Sequence, residues 1–129
     1  MSYSDFDLDF ANGKQGEDLV EALLTNGKTV EVKRDLRWQD TGNLYIEYTC
    51  YYQRSDSWEW SGIMVTKADY WAFVLGTGVL LVPTPLLKGV CMASKRVAET
   101  RIPPNPSKGY LITVDDLILA MKAGNTDVN

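Results

Sequence analysis

Histidine is absent from this chain of 129 residues, and cysteine is scarce. Without an imidazole group there can be no Ser-His-Asp triad, no histidine general base and none of the usual zinc sites. The two cysteines, Cys50 and Cys91, are too few for a disulfide framework and form no C-x-x-C pair. Any metal ion must therefore be held by oxygen ligands, which favours Mg²⁺ or Mn²⁺.

A long hydrophobic run is also missing. The longest one, residues 70–85, is interrupted at Gly76-Thr77-Gly78, whereas a membrane-spanning helix needs about 20 consecutive apolar residues. The start of the chain, MSYSDFDLDF, is acidic and lacks the basic beginning and apolar core of a signal peptide. We expect a single domain over residues 1–129, no membrane partner and a cytoplasmic location.

Positive charge is in deficit, with 13 basic against 17 acidic side chains and a net charge of −4. This balance argues, weakly, against nonspecific binding of nucleic acid, which needs a basic surface. The acidic residues concentrate towards the ends of the chain, while residues 28–37 are locally basic. Within that segment Arg34 and Arg37 are candidates for binding an anionic substrate, beside Lys28 and Lys33.

What the sequence does contain is a pair of charged β-type runs within residues 28–49, TVEVKRD and NLYIEYT, joined by a turn-rich segment. Side chains alternate between the faces of a strand, so Lys33 and Asp35 share a face of the first run. If the two runs pair as a hairpin, Asp35, Lys33 and Glu47 converge. Two carboxylates beside a lysine suit the binding of Mg²⁺ and its use on a phosphate.

Structural explanations compete with this one. Glu31 and Lys33 can form an ion pair on a solvated strand, and Asp35 can be a turn or cap residue. Glu47 is flanked by residues that favour burial, and a buried carboxylate without a partner is costly. We therefore expect Glu47 to be paired or bound to metal.

Local patterns predict the other elements. Residues 13–24 predict a helix, in whose first turn Glu17 either interacts with the helix dipole or reaches a metal site on the sheet. The aromatic segment 50–60 predicts a hairpin, and its rings favour cross-strand pairing over base stacking. The remaining predictions are a helix at 66–73 with Thr66 as N-cap, strands within 74–82, a helix within 85–100, a strand at 110–114 and a final helix capped by Asp115 and stopped at Gly124.

The succession GEDLVEALL, VEVKRD, TGNLYIEYT, SGI and TKADYWAFVL, over residues 13–83, resembles the PD-(D/E)XK nuclease superfamily. It is most similar to small phage-type and Holliday-junction-resolvase-like members. The resemblance implies an α/β fold with a restriction-endonuclease-like αβββαβ core, in which helices flank a mixed central sheet. In that family a helix supplies a glutamate, one strand an aspartate and the next strand a (D/E)xK triplet.

Carried over by position, the resemblance gives Glu17 as the helix acid, Asp35 as the strand aspartate and Glu47 as the acid of the triplet. It implies that Asp35 and Glu47 hold Mg²⁺ or Mn²⁺ together with a backbone carbonyl and waters. Glu17 would hold a second ion or orient a metal-bound water.

The lysine departs from the family pattern, since Thr49 stands where the triplet would end. Lys33, on the face of Asp35, is the first choice for the catalytic lysine, and Lys67, a further candidate substrate contact, is the second. Another register makes Glu31-Val32-Lys33 the triplet itself. It leaves no acidic strand residue between the helix and Glu31, so the first register is preferred.

The function implied by the resemblance is a metal-dependent, phage-encoded endonuclease that hydrolyses DNA phosphodiester bonds in DNA processing or recombination. A homodimer is implied as well, acting in the cytoplasm of a bacterium or a phage-infected host cell. The alternative is a catalytically inactive nucleic-acid-binding or assembly module of the same fold. The acidic composition and the missing triplet lysine favour that alternative.

Overall fold

The computed structural model describes Glu21 and residues 27–101 and 105–126. Runs rich in β-branched and aromatic residues, which suit a pleated, half-buried surface, form most of its strands. The elements are β1 (Val30–Arg34), α1 (Trp38–Thr41), β2 (Asn43–Tyr52), β3 (Ser57–Trp60), a 3₁₀ turn (Gly62–Met64), β4 (Tyr70–Leu75), β5 (Gly78–Pro83), α2 (Thr84–Ala93), β6 (Val97–Thr100), β7 (Ser107–Thr113) and α3 (Val114–Thr126).

The described strands lie in two sheets, so the fold is mixed α/β but has no single central sheet in this part of the chain. One sheet has the order β1-β4-β5, with β1 parallel to β4 and β4 antiparallel to β5. The other has the order β3-β2-β7-β6 and is antiparallel throughout.

The hairpin expected between β1 and β2 does not form, because β1 pairs with β4. Two features account for the difference. Between the two strands the chain makes the short helix α1, which ends at Gly42 in the left-handed region with φ 74°. Before β1, the Thr29 N–H donates to Asp69 Oδ2 at 3.0 Å and the Asp69 N–H donates to the Thr29 carbonyl at 3.0 Å. These bonds hold the start of β1 against the start of β4.

The hydrophobic core lies where one face of each sheet meets the two longer helices. Burying a large apolar side chain stabilises the fold by about 1.5–3 kcal/mol, so these contacts dominate its stability. The largest fully buried side chains are Leu44, Ile46, Ile63, Trp71, Phe73, Val82, Leu87, Ile112 and Leu117.

A β-bulge interrupts β2 between Glu47 and Thr49. Glu47 pairs with Gly109 and Thr49 with Lys108, which leaves Tyr48 as the extra residue. Because Gly109 and Lys108 are adjacent in β7, their partners lie on opposite faces of the sheet. Glu47 thus lies on the face opposite Ile46. Thr49, two positions later, lies on the face opposite Glu47, because the bulge shifts the alternation by one residue.

Several local predictions are confirmed. Residues 50–60 form the β2–β3 hairpin, and Tyr51 and Trp58 are directly opposite, with ring centroids 5.7 Å apart. Strands β4 and β5 flank the turn at Gly76 and Thr77. The final helix is also present.

Of the helix predicted at 13–24, only Glu21 is described, and it is helical. Glu17 lies outside the described residues.

Other predictions are wrong. Residues 70–73 of the predicted 66–73 helix belong to strand β4, and the Thr66 hydroxyl accepts the Ala68 N–H. The helix predicted within 85–100 is present as α2 (Thr84–Ala93), but residues 97–100 form strand β6 instead of continuing it.

The final helix is also capped differently from the prediction. The cap is a reciprocal pair, in which Thr113 Oγ1 accepts the Asp116 N–H at 3.0 Å and Asp116 Oδ2 accepts the Thr113 N–H at 2.9 Å. Asp115 is not the capping residue, and the helix continues past Gly124. Over residues 27–101 and 105–126, no helix combines the length and apolarity needed to cross a bilayer.

Candidate functional site

A cavity of about 660 Å³ lies where the end of β1 and the loop after it approach β2 and β4. It brings together five of the seven residues selected from the sequence. These are Lys33, Arg34, Asp35, Arg37 and Glu47. Lys67 is exposed and lies outside the cavity lining. Glu17, the seventh, lies outside the described residues.

Asp35 joins β1 to β2 through its carboxylate. Oδ1 accepts the Arg37 N–H at 3.0 Å, and Oδ2 accepts the Tyr45 N–H at 2.9 Å. Among the described strands, β3 pairs with β2 only from Thr49 onward, so the Tyr45 N–H belongs to an otherwise open stretch of strand edge. Asp35 is thus a turn residue, as one interpretation of the sequence held. An ionised carboxylate has about four lone-pair sites, so these two bonds leave acceptor capacity.

Glu47 differs from Asp35 because its carboxylate is not used for structure within the described residues. The residue is half-buried in β2 and lines the cavity. No described residue donates a hydrogen bond to this carboxylate or forms an ion pair with it. Its negative charge adds to burial, the larger cause, in raising the pKa of Tyr45 above the ordinary value. Glu47 therefore places a negative group at the cavity wall.

Lys33 forms the ion pair that the strand pattern suggested. Its Nζ is 3.5 Å from Glu31 Oε1, and both side chains are about half exposed. The same ammonium lies 5.6 Å from the centroid of the Trp71 ring. An exposed pair of this kind contributes about 0–1 kcal/mol, so the pair holds Lys33 weakly. Its ammonium can therefore turn to an anion in the cavity at little cost.

Tyr45 forms a fixed aromatic wall of the cavity. Its hydroxyl is 2.8 Å from Ser107 Oγ. Its ring folds over Gly109, since a Cβ at residue 109 would lie 2.6 Å from Cζ and 2.7 Å from Cε2 of Tyr45. Sequence reasoning missed this residue. A glycine inside a strand signals a close approach, but Gly109 lies one residue before the strand predicted at 110–114, so the prediction did not offer this signal.

Trp71 and Phe73 of β4 contribute the apolar part of the lining. They are 1% and 2% exposed, with ring centroids 6.2 Å apart. The Trp71 indole N–H is buried and has no acceptor among the described residues. Leaving such a donor unpaired costs about 1–3 kcal/mol, so this cavity wall is not optimised for stability alone.

The acids present can supply only part of a metal site. Within the described residues, no three acidic or cysteine side chains are grouped closely enough to hold a metal ion. Asp35 and Glu47 line the same cavity, and Mg²⁺ is commonly bound by one or two carboxylates, with waters and substrate phosphate completing its octahedron. Asp35 and Glu47 thus bring to one cavity the kind of oxygen ligand that Mg²⁺ takes.

The cysteines are not candidate nucleophiles. Both are buried, and burial raises the pKa of the Cys91 thiol to about 12 and that of the Cys50 thiol above its ordinary value. Neither thiol is appreciably ionised near neutral pH, and the thiolate is the reactive form.

The structure has a mixed α/β fold with three carboxylates, those of Asp35, Glu47 and Glu99, and three cationic side chains around one cavity. No protein-family model, no curated protein and no solved structure matches the chain.

Proposed function

We propose that this chain is a metal-dependent endonuclease that hydrolyses DNA phosphodiester bonds and has a restriction-endonuclease-like core. One observation carries the proposal: Lys33 of β1, Asp35 in the turn after it and Glu47 of β2 line a single cavity, although β1 and β2 belong to different sheets. On this proposal Asp35 and Glu47 hold Mg²⁺ or Mn²⁺, with Glu17 as a further acid.

The chemistry divides between the ion and the side chains. A bound Mg²⁺ lowers the pKa of a coordinated water and neutralises charge on the attacked phosphate. Asp35, held by two backbone N–H groups, and Glu47 keep their carboxylates oriented for that ion. Lys33 stabilises negative charge at the phosphate under attack, and Arg34 and Arg37 bind neighbouring phosphates.

The proposal extends to partners and place. Lys67 is exposed outside the cavity and would contact the DNA backbone further along. Two copies would act as a homodimer to cut both strands of the DNA. The enzyme would work in the cytoplasm of a bacterium or of a phage-infected host, in DNA processing or recombination.

A second candidate is an inactive nucleic-acid-binding or assembly module. It is favoured by the use of both Asp35 oxygens for backbone N–H groups and by the lack of a group of three acids within the described residues. In this case the cationic side chains would bind phosphate and no bond would be cleaved.

The test is incubation of purified protein with branched, duplex and single-stranded DNA in Mg²⁺ or Mn²⁺, followed by EDTA. We expect cleavage that requires the ion and falls by about 100-fold in Glu47→Gln, which keeps the shape of the side chain and removes its charge. The matched control is Glu59→Gln, an exposed glutamate of β3 outside the cavity.

The outcomes separate the candidates. Metal-dependent cleavage that is lost in Glu47→Gln and kept in Glu59→Gln supports the nuclease. DNA binding without cleavage under any ion overturns it in favour of the binding module. Neither binding nor cleavage overturns both.

A further inference from the structure

The wall of the cavity beside Glu47 is aromatic, and we propose that it binds the base of an unpaired nucleotide against the ring of Tyr45. The substrate would then be DNA with unstacked nucleotides, such as single strands, flaps or frayed ends, and not a closed duplex. The inference rests on the proposed function for the nature of the substrate, and it names the part of the cavity that selects it.

Tyr45 is built as a platform. One side of its ring rests on Gly109, and its hydroxyl is fixed by Ser107. The residue is half-buried and lines the cavity. A ring immobilised before binding loses little conformational entropy when a base stacks on it.

The dimensions agree with one nucleotide. The cavity volume of about 660 Å³ falls in the usual range for small-molecule sites, roughly 300–1,000 Å³. Tyr45 and Glu47 share a face of β2 two residues apart, which separates their Cα atoms by about 7 Å. A base on Tyr45 therefore places its sugar-phosphate beside Glu47.

The charges fit the phosphate of the same nucleotide. Lys33, Arg34 and Arg37 line the cavity together with Tyr45 and can bind that phosphate, while the three carboxylates of the same lining are Asp35, Glu47 and Glu99. The Lys33 ammonium lies 5.6 Å from the centroid of the Trp71 ring, which also lines the cavity. An aromatic platform beside cationic side chains is the combination that binds single-stranded nucleic acid.

A closed duplex cannot use this wall. Each base of a duplex is stacked on its neighbours, and a protein reaches its face only after the base leaves the stack. An aromatic wall inside a cavity therefore favours nucleotides that are already unpaired, because no base has to leave a stack to reach it.

The exposed aromatic residues of the β2–β3 hairpin do not serve this purpose. Trp60 pairs with Thr49, and Thr49 pairs with Lys108. Lys108 alternates with Gly109, the partner of Glu47, so Trp60 lies on the sheet face away from Glu47. Trp58 lies on the same face as Trp60, and therefore also away from Glu47.

The first experiment measures binding in EDTA, so that cleavage does not enter. The probe is a fluorescein-labelled oligothymidylate of about 12 nucleotides, within the usual site size for single-strand binders, and fluorescence anisotropy gives the Kd. Tyr45→Leu should weaken binding about 10-fold, since stacking contributes about 1–3 kcal/mol per base. Tyr45→Phe keeps the ring and should stay within about threefold of the unsubstituted protein. Trp60→Leu is the matched control and should bind unchanged.

The second experiment uses the unsubstituted protein and so does not depend on the folding of a variant. A 5-iododeoxyuridine oligonucleotide is photo-crosslinked, and the adduct is mapped by mass spectrometry. Attachment at Tyr45 is expected. Attachment at Trp58 or Trp60, equal binding by Tyr45→Leu, or a duplex of the same length binding as tightly overturns the inference.

The two proposals fail separately. Absence of cleavage together with a Tyr45 adduct overturns the nuclease and supports the nucleotide site. Glu47-dependent cleavage of duplex DNA with an adduct elsewhere supports the nuclease and overturns the nucleotide site.

Discussion

Strands β1 and β2 both carry acidic side chains, but their surroundings differ. β1 has five residues, lies at the edge of its sheet and is mostly exposed. β2 has ten residues, lies between two neighbours and alternates between buried and half-buried positions. On β1, Glu31 is offset by Lys33 of the same strand. On β2, Glu47 has no such partner among the described residues, so the better-packed strand carries the less compensated charge.

The anchoring of the two strands differs in the same way. β1 is held at its ends by polar contacts, through Thr29 and Asp69 before it and Asp35 after it. β2 is held by the β7 ladder from Asn43 to Cys50 and by the β3 ladder from Thr49 to Tyr52, with Leu44 and Ile46 in the core. Substitutions that weaken these contacts should therefore lower the stability of the protein by different amounts.

The largest effect is expected from Gly62→Ala, which acts on β2. Gly62 has φ 52°, and a Cβ there would overlap the Glu47 carbonyl oxygen and lie 2.8 Å from the Glu47 carbonyl carbon. Left-handed strain and backbone overlap together should lower the free energy of unfolding by about 3 kcal/mol. Urea denaturation measures it.

The matched control is Gly76→Ala. It has a similar φ of 60° and no heavy atom within 4 Å of the added Cβ, so it should cost only the conformational strain, about 1–2 kcal/mol. Equal losses of unfolding free energy in the two variants would show that the close packing of Gly62 on the Glu47 backbone does not matter for the stability of β2.

A smaller effect is expected from Asp35→Ala, which removes the link between β1 and β2. Two backbone N–H groups lose their charged acceptor, and the free energy of unfolding should fall by about 2 kcal/mol. A metal-ligand role alone would predict an unchanged or more stable fold.

Glu47→Gln serves as the comparison, because its carboxylate accepts no hydrogen bond from the described residues. We expect a change within about 0.5 kcal/mol for this variant. If Asp35→Ala proves as stable as Glu47→Gln by urea denaturation, Asp35 does not join the strands.

The smallest effect is expected on the stability of the protein at acid pH, through the Asp69 carboxylate that holds the start of β1. Hydrogen bonding from the Thr29 backbone N–H, the largest cause, lowers the pKa of Asp69 below its ordinary value of 3.8. A lowered folded-state pKa gives stability that is present above the unfolded-state pKa and is lost as the pH falls through the folded-state pKa. The loss should therefore appear below about pH 4.

The Asp69→Asn variant should lack the loss of stability that protonation of Asp69 causes at acid pH. The Tm of the variant should fall less than that of the unsubstituted protein between about pH 6 and pH 3. Asp115→Asn, at an exposed position in α3, is the control and should keep the original slope. Parallel Tm curves for Asp69→Asn and the unsubstituted protein would refute the anchoring role.

The sequence predicted the elements that depend on neighbouring residues. Alternation in NLYIEYT and the turn residues after Tyr52 specify the β2–β3 hairpin, and glycine and threonine specify the β4–β5 turn. The partner of β1 could not be found in this way, because the Thr29–Asp69 bonds join residues 40 positions apart. The helix predicted at 66–73 was wrong for the same reason: pairing with β1 outweighs local propensity at β4.

The candidate site shows the same division. Lys33, Asp35 and Glu47 were chosen for their chemistry, and they line one cavity. The route by which they meet was predicted incorrectly, since the Asp35–Tyr45 hydrogen bond takes the place of a β1–β2 ladder. Tyr45 and Trp71 were not foreseen, because an aromatic residue in a strand gives no local sign of the space beside it.

The burial of both native thiols has a practical consequence. Cys91 is 0% and Cys50 7% exposed, with Cys91 protonated at neutral pH. A maleimide dye should therefore react selectively with a cysteine newly introduced at an exposed site such as Lys67, without removal of the native ones. Fluorophores or spin labels placed in this way would report distances across the protein in solution.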